Sequence, residues 1–127
     1  MTISSKVYMQ EVGEWLGQFE WTLYGTFTFR VGVRSDSAIK AVKRFIIAND
    51  SSAKLVMAVR KYSDGSSAHV HSLINGLKGI DCFCLMNLWF KSYGIARIYP
   101  YDKTQGAAYY LAKNAQGEYG ELDISGM

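Results

Sequence analysis

Proline and cysteine are scarce in this chain, with one proline and two cysteines among 127 residues. Cys82 and Cys84 stand one residue apart, too close for an ordinary disulfide and too few for a zinc site, so neither a disulfide scaffold nor a zinc module is expected. No window approaches the roughly 18 consecutive apolar residues of a membrane span, and the N-terminal stretch lacks the charged, apolar and small-residue order of a secretory signal. The expectation is a soluble cytoplasmic protein with no membrane contact. Low-complexity tracts, repeats and linkers are missing too. What is present, 49% hydrophobic and 20% charged residues, suits one compact domain with a sizeable core.

Net charge is only +3, but it is unevenly spread. Residues 30 to 113 hold 13 Lys and Arg against 5 Asp and Glu, and the two ends carry a balance of −5. A basic middle with acidic ends points to an anionic partner or to simple solubility.

Apolar residues at Val12, Trp15, Leu16 and Phe19 predict an amphipathic helix over about residues 5 to 19. From Trp21 to Arg30, Leu23, Phe27 and Phe29 alternate with Tyr24, Thr26, Thr28 and Arg30, which predicts a strand with one polar face. A helix from Ser35 to about Asn49 would bury Ile39, Val42, Phe45 and Ile46. Lys54 to Tyr62 and Ala68 to Asn75 read as a hairpin around the turn-rich residues 63 to 67. Asp81 can cap a helix running to Tyr93, its Trp, Met and Cys residues forming core and Gly94 ending it in the left-handed conformation. A short strand from Ile95 to Tyr99 and a turn at Pro100 and Tyr101 follow. Asp102 or Thr104 would cap a last helix over Gly106 to Gln116, and an acidic tail, residues 117 to 127, could form a short edge strand. This order predicts an α+β fold of ferredoxin-like type, an antiparallel sheet of four to five strands with packed helices.

The two histidines of the chain are His69 and His71. Residues i and i+2 of a strand share a face, so the imidazoles project side by side, an arrangement that suits a divalent metal with open coordination positions. The bland alternative is two polar residues on a half-exposed strand. In the last predicted helix, Ala108, Leu111, Ala112 and Ala115 span one arc and Tyr110, Lys113 and Asn114 the opposite one, which puts a phenol and an ammonium on the same side. A phenol is a weak nucleophile at neutral pH, but a metal that polarises a phosphate makes its attack on phosphorus feasible.

In order, Phe27-Thr28-Phe29-Arg30 at a strand end, His69-Val70-His71 on a strand and Tyr110-Leu111-Ala112-Lys113 on a helix resemble the three motifs of the HUH endonucleases, in particular the small rolling-circle replication initiators of plasmids, phages and other mobile elements. The resemblance covers about residues 20 to 116. It implies that His69 and His71 hold Mg²⁺ or Mn²⁺, that Tyr110 attacks the scissile phosphate of single-stranded DNA, and that Lys113 stabilises charge or positions the phenol. The implied products are a 5′-phosphotyrosine link and a free 3′-hydroxyl at a replication origin or hairpin, with no nucleotide cofactor. A chain of this length would need a separate helicase and polymerase. Tyr109 is the alternative nucleophile, about 100° away around the helix. Tyr24, Thr26, Thr28 and Arg30 on the first strand, with Arg60, Lys61 and Arg97, are the expected DNA contacts, and Lys40, Lys43 and Arg44 could add phosphate contacts.

One feature departs from that family. Val59-Arg60-Lys61 offers no carboxylate on the strand before the histidines, so the third metal ligand is open between Asn114 and Asp64, with water as a further candidate. Two other readings remain. The related single-tyrosine HUH transposases share the motifs and work as dimers, which leaves monomer and dimer both open here. A non-catalytic RNA-recognition-like module would instead stack bases on strand aromatics such as Tyr24.

Overall fold

The fold was read from a computed structural model that describes residues 5–61, 68–106, 111 and 120–125. Helix α1 (Ser5–Gly17) comes first, then strand β1 (Leu23–Phe27), helix α2 (Ser35–Asn49), strands β2 (Lys54–Lys61) and β3 (Ala68–Asn75), helix α3 (Cys82–Ser92) and strand β4 (Ala96–Pro100). A 3₁₀ turn at Lys103–Gln105 and strand β5 (Gly120–Ser125) complete the order. The strands form one sheet in the order β4-β1-β3-β2-β5, every neighbouring pair antiparallel. Its first four strands, with α2 and α3 as crossovers, make the βαββαβ arrangement of ferredoxin-like folds. Residues 120–125 of the acidic tail thus form an edge strand, beside β2.

Helix α1 ends at Gly17 and buries Leu16, while Trp15 and Phe19 of its expected stripe are exposed; α2 buries more of its own. On α2, Ala38, Ala41, Val42 and Ile46 are buried, with Ile39 and Phe45 packed beside them. Asp81 caps α3 by accepting a hydrogen bond from the Phe83 N–H at 2.7 Å. From α3, Leu85 and Trp89 enter the core between the helices and the strand residues Phe27, Leu55, Met57, Val70 and Ile98. Trp89 is the hub: its ring centroid lies 4.9 Å from Phe27, 5.3 Å from Phe29 and from Phe45, and 4.3 Å from Tyr93. Its indole N–H donates to the Thr28 carbonyl at 3.0 Å, so the buried polar atom is satisfied.

A second, smaller core covers part of the other face of the sheet. There Leu16 of α1, Trp21 and Leu111 pack with Val56, Ala58 and Leu73. Strand β1 is held at both ends by threonine hydroxyls. Thr22 reaches the carbonyls of Ile74 and Gly76 at 3.0 and 2.7 Å, and Thr28 donates to the Ile95 carbonyl at 2.8 Å.

Several expectations are corrected by this arrangement. An eleven-residue helix with one face on a sheet cannot bury all its apolar residues, and Cys84, Phe83 and Phe90 of α3 are exposed. Pro100 belongs to β4 and pairs with Leu23, a place an edge strand allows to a residue without an N–H. The turn comes two residues later, where Asp102 accepts from the Thr104 N–H at 2.9 Å. Of the last expected helix, Leu111 is helical and buried, while residues 107–110 and 112–116 lie outside the described residues, as do residues 63 to 67 of the β2–β3 connection. No helix among the described residues is long and apolar enough to cross a membrane.

Gly94 does not end α3 in the left-handed region, since its φ is not among the positive values of the backbone. Its lack of a side chain serves close approach instead: a Cβ there would lie 2.5 Å from the Thr28 carbonyl oxygen and 2.9 Å from the Phe29 Cα. Gly94→Ala is expected to destabilise the protein by about 1–3 kcal/mol in urea unfolding, because backbone and not a flexible side chain must move. Gly17→Ala, where a Cβ meets nothing within 4 Å, is the control and should be neutral or slightly stabilising.

Candidate metal and nucleic-acid site

Strand pairing decides what surrounds the histidines. Antiparallel register places Thr26 and Ala58 directly opposite His71 on its two sides, and Arg60 opposite His69. Arg97 of β4 faces Thr26, so one row across the sheet reads Arg97, Thr26, His71, Ala58. Directly opposed residues share a face, and this face is the one on which α1 and Leu111 pack. His69 and His71 are side by side on it, their ring centroids 5.1 Å apart and their planes at 81°.

His71 is nearly inaccessible, with 6% of its surface exposed. Its Nδ1 lies 3.0 Å from the Tyr24 hydroxyl and 3.3 Å from that of Thr26. The Tyr24 ring stacks along the imidazole at 28°. Burial, helped by the neighbouring His69 charge, depresses the His71 pKa to about 4. His69 is shifted the same way, by burial and by the Arg60 guanidinium. Both imidazoles are therefore neutral near pH 7, the form in which histidine ligates metal.

The expected DNA contacts separate into groups. Arg60 and Arg97 flank the histidines, and Arg97 is exposed. Lys61 belongs to β2 as the pairing partner of Ala68, its side chain outside the description. Tyr24 and Thr26 are partners of His71. Thr28 is committed to Ile95 as described, and Arg30 leaves the strand face, its guanidinium 4.9 Å over the Phe90 ring of α3. Lys40, Lys43 and Arg44 stand on α2, across the sheet from the histidines. The basic residues thus do not form one tract. Tyr110, Lys113, Tyr109 and both candidates for a third ligand, Asn114 and Asp64, lie outside the described residues.

Two neutral imidazoles on one face fit part of a site for a divalent cation, and among the described residues no third histidine, cysteine or carboxylate joins them. Asp123 of β5 is excluded as that ligand by register, since it opposes Met57, whose side chain enters the core between sheet and helices. The role of Tyr24 and Thr26 as histidine partners was not legible in the sequence. Its only signal was hydroxyl residues at i and i+2 of a strand, and the pairing that gives this meaning joins residues about 45 apart. A concavity of about 420 Å³ lies at the far end of β2 and β3, lined by residues including Asp50, Lys54, Asn75 and Lys78, and the histidines take no part in it. In comparisons with known proteins, the chain has no significant match to a family model, a curated protein or a solved structure.

The His71 shift makes a signed prediction. Above about pH 6.5 folded and unfolded chains both hold a neutral imidazole, and stability is fully present. As pH falls from 6.5 towards 4, the unfolded chain binds a proton that the folded one refuses, so stability is lost. At about 1.4 kcal/mol per pH unit, roughly 2 kcal/mol should disappear between pH 7 and pH 5 in urea unfolding of the wild type. His71→Gln should lose most of this slope.

Proposed function

We propose that this protein is a metal-dependent single-stranded DNA nicking and joining enzyme of the HUH type, acting through Tyr110. The observation that carries the reading is the pair His69 and His71, neutral and adjacent on one sheet face, with Arg60 opposite His69 and Arg97 in the row of His71.

On this reading His69 and His71 would hold Mg²⁺ or Mn²⁺, which when bound supplies polarisation of the scissile phosphate. Arg60 and Arg97 hold the DNA backbone by charge, an interaction that weakens with salt. The Tyr110 phenol loses its proton and its oxygen bonds to phosphorus, while the bond from phosphorus to the 3′ oxygen breaks and that oxygen takes up a proton. The stored phosphotyrosine ester lets a 3′-hydroxyl reverse the step and rejoin the strand, so no nucleotide cofactor is required. Lys113 offsets charge at the phosphate. The free 3′-hydroxyl could prime rolling-circle replication of a mobile element, with unwinding and synthesis by a separate helicase and polymerase; transposition uses the same chemistry.

Incubation with a diverse pool of single-stranded DNA and Mn²⁺ should give a denaturation-resistant protein–DNA adduct. Tyr110→Phe, His71→Ala or a chelator should reduce it at least a hundredfold, and sequencing of the trapped strands would give the site. An adduct kept in Tyr110→Phe and lost in Tyr109→Phe would move the nucleophile. Salt-dependent binding that survives His71→Ala, with no adduct under any condition, would favour the binding-module reading.

A further inference from the structure

We propose that Tyr24 and Thr26 are positioning residues that hold the His71 imidazole with its proton on Nδ1, so that Nε2 presents its lone pair to a divalent cation. The proposal deepens the reading of the histidine face given above and rests on it for what the cation is used for. A neutral imidazole carries a proton on one nitrogen and a lone pair on the other, and only the second can ligate. Which nitrogen that is depends on the neighbours of the first.

Two oxygens converge on Nδ1, the Tyr24 hydroxyl at 3.0 Å and the Thr26 hydroxyl at 3.3 Å. If Nδ1 held the lone pair, one hydroxyl could donate into it and the other oxygen would be left crowding an acceptor. An N–H between two oxygens is shared by both as a three-centre bond, and each hydroxyl keeps its own proton free for another acceptor. The geometry therefore favours the proton on Nδ1. The same two residues also fix the plane of the ring. Thr26 is the direct cross-strand partner of His71, and Tyr24 is the diagonal one, its ring 6.3 Å away at 28°. Both reach the imidazole from β1, a central strand clamped at each end, so the partners cannot drift with a loop. Partners of this kind, acting through a ligand and not on the metal, typically change metal affinity by 10–100-fold when removed.

The test has a readout that needs neither DNA nor turnover. Long-range ¹H–¹⁵N correlation spectra of the metal-free protein at pH 7, with His69→Gln used to assign the two rings, should show His71 protonated on Nδ1. Tyr24→Phe and Thr26→Val each keep shape and remove one oxygen, and the double variant should shift the tautomer towards Nε2–H. Mn²⁺ affinity, read from the electron paramagnetic resonance signal of the free ion, should fall about tenfold or more. A wild-type His71 protonated on Nε2 overturns the proposal. So does a variant that melts at lower temperature with tautomer and Mn²⁺ affinity unchanged, since that is all a packing role would do. Should the double variant fail to fold, the wild-type spectrum and Thr26→Val alone still decide. If the tautomer and affinity results hold while no DNA adduct forms, the positioning stands and the nicking reading falls.

Discussion

The antiparallel pairing of β1 with β3 is the constraint on which both sides of the sheet depend. It sets Phe27 opposite Val70, from where its ring reaches Trp89, and one residue earlier sets Thr26 opposite His71. A slip of one residue would exchange the faces, turning Phe27 to the histidine side and the hydroxyls into the aromatic core. The size of that core makes the slip prohibitive. Packing of Trp89 with four other aromatic rings thus fixes, at a distance, which side chains His71 meets.

Burial of a histidine costs free energy unless its polar atoms find partners, and His71 shows both halves of that balance. Desolvation drives the imidazole neutral, and the hydroxyls of Tyr24 and Thr26 compensate the nitrogen that faces the strand. His69 sits nearer the rim, beside Arg60, whose charge acts in the same direction. Among the described residues, the core on the histidine face gathers on Val56, Ala58 and Leu73, and Arg97 and Tyr99 of β4 are exposed.

Most of the fold was legible because its elements carry strong periodicity. The helix at Ser35–Asn49, the strand at Ala68–Asn75 and the Asp81 cap fall where alternation, helical spacing and capping chemistry put them. The errors came where a local rule met a tertiary requirement. Gly94 reads as a helix terminator but is small because the backbone of Thr28 and Phe29, just after β1, passes over it, and Pro100 reads as a turn but completes an edge strand. At the site, the histidine pair was visible from its spacing alone. The fates of Tyr24, Thr28 and Arg30 were not, because alternation gives a face and not a partner: one stacks on an imidazole, one ties down β4, and one turns aside onto Phe90.

The sheet's two faces are unequal in what a substitution would disturb. Trp89 and the residues around it bear on whether the chain folds, while Arg97 and Tyr99 are exposed on the other face, Tyr99 opposite Tyr24 at the margin of the second core. Buried and exposed residues therefore alternate along the same strands, on β4 as Ile98 between Arg97 and Tyr99. A lineage built on this sheet could exchange its exposed side chains while the selective demand for a folded domain is met by residues facing the other way.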